Sequence, residues 1–221
     1  MLRTKTKGLA VALTSPAPAE RLCYFESLQG RMVETVRELV EIESPSDNKP
    51  AVDRIARVLA QKFEALGGRA RFHRSNDFGD SLQIDFESRP GSPNRKAVLL
   101  LGHYDTVYAL GTLSTMPCKV DDGRLCGPGV LDMKSGIALM LHAIEALQAW
   151  HSGLPRPVTV FLVSDEAVGS RSSRAITEGL AKASAGVLVL EPAAGLRGAV
   201  KTARKGVGEY TLRVKGVAAH A

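Results

Sequence analysis

The stretch AVLLLGHYD, residues 97–105, decides the predicted fold. Its first five residues form an uninterrupted apolar run, which is typical of a strand buried on both faces of a sheet. Similar runs follow at 158–163 and 187–190, and apolar patterns of helical spacing separate the runs at 135–150 and 174–183. Buried strands that alternate with helices predict an α/β fold of three layers, with a mostly parallel sheet and helices on both of its faces.

The segments on either side of these runs predict further elements. Apolar spacing indicates helices over 28–43 and 52–66, the second with Asn48 as its cap, and strands over 69–74 and 81–87. An Asp-Asp-Gly turn at 121–123 predicts a hairpin. After Ala199 the pattern changes to alternating strands, plainest at 209–214, and this change predicts the start of a second domain.

The composition excludes several functional classes. The net charge of +6 comes from scattered Lys and Arg residues and only 5% of residues are aromatic, so we expect no nucleic-acid binding. No apolar run approaches the ~18–20 residues of a membrane helix, so we expect no membrane span. Three irregularly spaced cysteines predict free thiols, and with them a cytoplasmic location. The basic start and short apolar stretch of the N-terminus make export to the periplasm the alternative.

Histidine and acidic residues follow each of the three apolar runs. His103 and Asp105 come after the first run, Glu166 after the second, and Glu191 closes the third. Because ligands of open α/β sheets bind outside the carboxyl ends of the strands, we expect these side chains to meet in one crevice. An imidazole is a good zinc ligand, and a carboxylate two residues away lies on the same face and can orient it. Each residue taken alone could instead be a solvated loop residue.

The glycine-rich segment GPGVLDMKSG, residues 127–136, places Asp132 just before a predicted helix. Asp132 is therefore either a site residue or a helix N-cap. A phosphate-binding loop is the third interpretation, but the glycine spacing matches neither a dinucleotide fingerprint nor a P-loop.

Five motifs in order make a family resemblance specific. They are His-x-Asp-Thr-Val at His103, Gly-x-Gly-x-x-Asp-Met-Lys-x-Gly at Asp132, Ser-Asp-Glu at Glu166, Leu-Glu-Pro at Glu191 and Gly-x-x-Ala-His-Ala at His220. The chain resembles the zinc-dependent metallopeptidase family of aminoacylases, acetylornithine and succinyl-diaminopimelate deacylases and glutamate carboxypeptidases, and is most similar to the glutamate carboxypeptidase branch. The resemblance implies that family's fold, in which a zinc aminopeptidase-like sheet domain carries a small α+β lid and dimerisation domain.

The resemblance implies a role for each matching residue. His103, Asp132 and Glu191 would bind one zinc ion, and Asp132 would bridge it to a second. Glu166 would be the general base that takes a proton from a zinc-activated water, and Asp105 would steady His103. The remaining match, His220, would be the lid histidine that helps to polarise the scissile carbonyl, often across a dimer. Co²⁺ and Mn²⁺ are alternative metals.

Two departures from the family pattern set this chain apart. The family has adjacent glutamates where this chain has Glu166-Ala167, and a methyl group cannot coordinate the second zinc. The other ligand of that zinc is a histidine near the C-terminal end of the family's chains, beyond Ala221. We therefore expect one tightly bound zinc, against two in the family, and a truncated chain. Residues 26–198 would form an incomplete catalytic domain and 199–221 the beginning of the lid domain, after a poorly ordered extension at 1–25.

The resemblance implies a hydrolase that cleaves an amide or peptide bond next to a free carboxylate, as glutamate carboxypeptidases do. Its substrate would be a small peptide or an N-acyl amino acid, and the full-length protein would be a homodimer. An N-acyl-amino-acid deacylase is the alternative within this class. Ala167 favours a second alternative, a non-catalytic metal-binding relative, because this chain would have little or no hydrolytic activity. A metal-free structural protein is the third.

Overall fold

The three apolar runs form three neighbouring parallel strands. The computed structural model describes residues 16–195, 198–206, 208 and 210–217. Within that part, the first run forms β3, and the later runs form β6 and β7. The strands are β1 (Arg69–His73), β2 (Ser81–Phe86), β3 (Val98–His103), β4 (Lys119–Asp121), β5 (Arg124–Cys126), β6 (Val158–Val163) and β7 (Gly186–Val189). The helices are α1 (Pro18–Ser27), α2 (Gln29–Val40), α3 (Lys49–Ala65), α4 (Ser135–His151) and α5 (Arg174–Ala183).

The main sheet has the strand order β1-β2-β6-β3-β7. β3 pairs in parallel with β6 on one side and β7 on the other. β2 pairs antiparallel with both β6 and β1, so the sheet is mixed, with its parallel part formed by the three predicted runs. The predicted α/β class is confirmed, and the antiparallel pair at one edge refines the expected mostly parallel sheet. β4 and β5 form the predicted hairpin around residues 121–123.

Helices cover both faces of the sheet, as predicted. On one face the core residues of α3 and α4 pack against β2 and β6, with Phe63 and Ile137 fully buried among them. On the other face α5 places Ile176 and Leu180 against Leu99 and Phe161 of the same sheet. Because successive side chains of a strand point to opposite faces, a strand buried on both sides needs apolar residues at every position, which explains the uninterrupted runs.

The edge strand β7 departs from its prediction as a buried strand. Val187, Leu188 and Val189 expose 38%, 57% and 52% of their surfaces. β7 pairs with β3 on one side, and no strand in the described ranges pairs with its other side. The apolar run therefore predicted a strand correctly, but burial depends on neighbours that the run does not specify.

The two ends of the chain also differ from expectation. Residues 18–25 belong to α1 rather than to a poorly ordered extension, while residues 1–15 lie outside the described residues. Pro18 suits a first helical turn, and Tyr24 and Phe25 pack edge-on against Trp150 of α4, which holds α1 in place. At the other end, the predicted strand over 209–214 is not formed by its described residues, 210–214, because no other strand pairs with them there.

The described helices include none that is long and apolar enough to span a membrane.

Candidate metal centre

His103 is the last residue of β3 and lies at the carboxyl end of the sheet. Its side chain is almost fully buried, with 3% exposed. The Nδ1 atom lies 3.0 Å from the main-chain oxygen of Asp105, an arrangement in which Nδ1–H donates and Nε2 is left free to bind. Nε2 lies 2.9 Å from Oδ1 of Asp132, 3.3 Å from Oε1 of Glu191 and 3.8 Å from Oε2 of Glu166. One nitrogen thus faces three carboxylates.

Asp105 lies below His103 and is fully buried. Its Oδ1 atom lies 3.3 Å from Nδ1 of His103 and accepts a hydrogen bond from the amide of Glu166 at 3.2 Å. Its Oδ2 atom accepts from the Ser46 hydroxyl at 2.6 Å and from the amide of Ala167 at 3.1 Å. Asp105 therefore joins the histidine to the backbone of the segment that carries Glu166.

Asp132 sits on a tight turn between β5 and α4. The turn depends on Gly129, which has a φ of 72°, and an added Cβ there would lie 2.8 Å from Cγ2 of Thr106. The Asp132–Met133 peptide bond is cis. Two buried side chains anchor the turn: the Met133 sulfur faces the amide of His103 at 3.1 Å, and Nζ of Lys134 donates to the carbonyl of Ile42 at 2.8 Å.

The position of Asp132 excludes the helix-cap interpretation. The residue that precedes α4 is Lys134, so Asp132 is not the cap of that helix. Its carboxylate is 67% exposed and points at His103 instead. The helix-cap alternative is therefore wrong, because the turn between residues 129 and 134 rotates the carboxylate away from the helix amides and towards the strand ends.

Glu191 reaches the cluster because α4 begins very close to the chain after β7. An added Cβ at Gly136 would lie 2.0 Å from the carbonyl oxygen of Leu190, so only glycine permits this approach. The amide of Leu190 continues the pairing with β3 by donating to the carbonyl of Leu101 at 3.2 Å. The Glu191 carboxylate that follows is 20% exposed and faces His103.

The carboxylates strongly perturb the imidazole. Burial alone would lower the pKa of His103, but the hydrogen bonds and negative charges of Asp105 and Glu191 outweigh it and raise the pKa to about 11. The same hydrogen bond from His103 lowers the pKa of Glu191, against the effect of burial. Burial raises the pKa of Glu166; the His103 charge opposes that rise and the neighbouring carboxylates add to it. The cluster thus retains a proton at His103 that a cation can replace.

His103, Asp132 and Glu191 fit a metal ion. One ligand atom from each residue lies within 4.8 Å of the others, which one ion bound to all three requires. A nitrogen and carboxylate oxygens are the donors that Zn²⁺ and related divalent ions accept. Within the described residues this is the only such group, and the methyl side chain of Ala167 adds no ligand beside Glu166.

The cluster opens into a cavity of about 870 Å³. His103, Asp132, Glu166 and Glu191 line part of it. The segment after β7 also contributes to the lining, with two basic residues, Lys201 and Arg204, and the positive charge of Arg204 contributes to the lowered pKa of Glu191. The cavity lining therefore contains both acidic and basic side chains.

Five of the six predicted site residues meet at this cavity or directly behind it: His103, Asp105, Asp132, Glu166 and Glu191. The sixth, His220, lies outside the described residues. Two buried polar residues beside the site, Ser46 and Asp165, were not among the predicted site residues. Ser46 donates to Asp105, and Asp165, next to Glu166, accepts from Ser173. Only their positions near the ends of a helix and a strand could have indicated them.

The fold and this ligand set define an α/β domain with a candidate divalent-metal site at the carboxyl ends of parallel strands. Residues 99–215, just over half of the chain, match the peptidase family M20/M25/M40, and the chain belongs to that family. The family resemblance in the sequence is thus confirmed, and relatives in both of its predicted branches are enzymes.

Carboxypeptidase G2 of Pseudomonas sp. (strain RS-16) is 28% identical over 195 residues, which are 87% of this chain and 46% of that protein. Succinyl-diaminopimelate desuccinylase 2 of Shewanella loihica is 30% identical over 174 residues, 73% of this chain and 44% of that protein. The crystal structure of an M20 family metallo-carboxypeptidase, Sso-CP2 from Sulfolobus solfataricus, superposes with a TM-score of 0.62 at 19% identity and covers 76% of this chain and 38% of that one. The chain spans less than half the length of these relatives.

Proposed function

We propose that this chain is the metal-binding part of a hydrolase that cleaves an amide or peptide bond next to a free carboxylate. The observation that carries the proposal is that Glu166 faces the same cavity as the three predicted ligands without being needed as one of them. Its carboxylate is half-exposed, so water and substrate can reach it, and its Oε2 lies 3.8 Å from Nε2 of His103. A base so placed can act on a water molecule held at the metal site.

The residues would divide the chemistry in a simple way. His103, Asp132 and Glu191 would hold a divalent cation, which would polarise a carbonyl group and lower the pKa of water. Oε2 of Glu166 accepts a proton from water as it attacks the carbonyl and later delivers that proton to the leaving nitrogen. Burial raises the pKa of Glu166, which suits a group that must both take and give a proton near neutral pH.

Two basic residues of the cavity favour a substrate with a carboxylate. Lys201 and Arg204 line the same cavity as the acidic residues. A substrate placed with its scissile carbonyl towards His103 could direct its carboxylate to these basic side chains, since opposite charges attract strongly in a partly desolvated cavity. Both a C-terminal glutamate and an N-acyl amino acid have this form. The relatives named carboxypeptidase and desuccinylase keep the two substrate classes as candidates.

Ala167 favours a site with one metal ion and low activity. Of positions 166 and 167, only Glu166 carries a carboxylate, so a second ion would lack a ligand at position 167. A non-catalytic metal-binding protein is therefore the second candidate function. The metal expected is Zn²⁺, with Co²⁺ and Mn²⁺ as alternatives.

Hydrolysis by the zinc-loaded chain tests the proposal. We expect slow release of glutamate from a peptidyl-glutamate substrate, or of the amino acid from N-acyl substrates, and one zinc per chain. Glu166→Gln should lower the rate by about 100-fold or more and leave zinc binding intact, because glutamine cannot accept the proton. Equal rates for the two proteins would exclude Glu166 as the base.

Ala167→Glu separates the enzyme from the non-catalytic candidate. The added carboxylate should raise both the zinc retained per chain and the rate of hydrolysis. If the variant binds more zinc and still hydrolyses neither substrate class, the non-catalytic function is the correct one. Asp85→Asn is a suitable control, since Asp85 accepts hydrogen bonds on β2, away from the cavity.

A further inference from the structure

Glu166 sits on a loop, residues 165–173, that we call the base loop. The loop begins and ends on buried polar groups, since Asp165 and Ser173 are both fully buried. Oδ1 of Asp165 accepts the Ser173 hydroxyl at 2.6 Å. Oδ2 accepts the amide of Ser172 at 2.6 Å, its hydroxyl at 2.9 Å and, at 3.4 Å, the amide of Ser173. One carboxylate thus closes the loop on itself.

The backbone of the base loop makes this closure possible. Gly169 has a φ of 95° and Ser170 a φ of 53°, so two successive residues adopt left-handed conformations and reverse the chain. The amide of Ser170 then donates to the carbonyl of Asp165 at 2.7 Å. A left-handed serine is unfavourable on its own, and such a conformation persists only where the surrounding contacts hold it. Asp165 provides those contacts, with its carbonyl at Ser170 and its carboxylate at Ser172 and Ser173.

The carboxylate of Asp105 also holds the base loop, through the backbone amides of the loop. The amides of Glu166 and Ala167 both donate to Asp105, and neither bond involves the side chain at position 167. Alanine at position 167 in place of an acidic residue therefore removes a carboxylate but leaves the two backbone hydrogen bonds to Asp105 in place. Asp105 therefore fixes the start of the base loop, and Asp165 closes the loop at its far end.

We propose that Asp165 is a positioning residue for Glu166: it closes the base loop and so aims the Glu166 carboxylate into the cavity. The proposal rests on the proposed function insofar as Glu166 is the base. No hydrogen bond of the described structure joins Asp165 to the predicted ligands His103, Asp132 and Glu191, so we expect its effect on the site to run through the base loop. This separates it from Asp105, which lies against His103.

The test compares Asp165→Asn with the wild-type chain by amide hydrogen exchange in NMR spectra. Asparagine keeps the size of the side chain but offers one acceptor oxygen instead of two, so it cannot serve all the donors of Ser172 and Ser173. We expect the amides of Glu166 and Ala167 to exchange at least about tenfold faster, while amides of β6 keep their rates. The zinc dissociation constant should stay within about twofold, because the metal ligands lie elsewhere.

Two further variants keep the test decisive. If Asp165→Asn does not fold, Ser173→Ala, which removes one hydroxyl donor, takes its place. It should speed exchange of the Glu166 and Ala167 amides by a smaller factor, about threefold. Asp85→Asn, which removes a carboxylate that accepts the Thr159 hydroxyl at 2.8 Å, should leave the amides of Glu166 and Ala167 unchanged. Faster exchange confined to the base loop supports the proposal. Unchanged exchange in the base loop, or a uniform increase across the protein with weaker zinc binding, overturns it.

Hydrolysis provides an independent comparison. In a chain that turns over substrate, Asp165→Asn should lower kcat about tenfold or more and leave KM unchanged, because the base is displaced and the binding surface is not. An equal loss through KM would overturn the positioning role. If the wild-type chain hydrolyses no substrate, the proposed function fails, whereas the exchange rates still decide whether Asp165 positions the base loop.

Discussion

Replacing Asp105 by asparagine removes the acceptor on which both the histidine and the base loop depend. The fully buried carboxylate accepts hydrogen bonds from the Ser46 hydroxyl and from the amides of Glu166 and Ala167, at 2.6, 3.2 and 3.1 Å. Asparagine retains one acceptor oxygen and turns an NH₂ group towards at least one of these donors. A buried donor left unpaired costs about 1–3 kcal/mol, and a hydrogen bond to a charged group contributes about 1.5–3 kcal/mol.

We therefore expect Asp105→Asn to lower the free energy of unfolding of the metal-free chain by about 2–4 kcal/mol at pH 7. Urea unfolding followed by circular dichroism measures the change, with the slope of the transition unaltered. Asp85→Asn is the matched control: its carboxylate accepts from the Thr159 hydroxyl and the Gln83 side-chain amide and lies 3.6 Å from Arg71. Its side chain is 28% exposed, so water can replace lost bonds and the cost should be about 1 kcal/mol or less.

The zinc affinity of Asp105→Asn gives a second measure of the same contacts. The carboxylate lies 3.3 Å from Nδ1 of His103 and helps to orient the ring, so its loss should weaken zinc binding by about 10–100-fold. A loss of stability no larger than that of Asp85→Asn, together with unchanged zinc affinity, would refute the reasoning. In that case the hydrogen bonds seen at Asp105 would contribute little to holding the site.

Three further predictions concern the histidine, the metal and the turn that carries Asp132. The folded-state pKa of His103 is raised from 6.5 to about 11, so its contribution to the stability of the metal-free chain is complete below about pH 6.5 and is lost as the pH rises towards 11. The urea midpoint should therefore be higher at pH 6 than at pH 9, and His103→Gln should reduce the difference. Zinc at 100 times its dissociation constant should add about 2.7 kcal/mol and raise Tm by about 5–10 °C, an increase that a chelator reverses and that should be absent in His103→Ala. Gly129→Ala should lower the free energy of unfolding by about 2–3 kcal/mol, because it combines a φ of 72° with a Cβ 2.8 Å from Thr106. Gly91→Ala, with a φ of 79° and nothing within 4 Å, should lower it by about 1 kcal/mol, and equal losses would show that the close contact is unimportant.

Much of the architecture could be predicted because its signals are local. A continuous apolar run is typical of a strand covered on both faces; β6 is buried at every position, and β3 is buried or partly buried throughout. The helix caps and turns also depend on neighbouring residues, as the Asn48 side chain shows by accepting the amide of Ala51 at 3.1 Å. The residues that follow the strands could be assigned to one site for the same reason, since parallel strands end at a common edge.

Sequence alone therefore determined β1 to β7, α2 to α5, the family and the residues at the strand ends, but not α1. The tertiary structure decided what these elements meet: the order β1-β2-β6-β3-β7, the antiparallel edge beside β6, and the exposure of β7. It also decided that Asp132 faces His103 rather than a helix end, and that Ser46 reaches Asp105 from 59 positions away. The physical reason is that propensity and periodicity act over a few residues, whereas pairing, burial and hydrogen bonding across the sheet depend on partners that are distant in the chain.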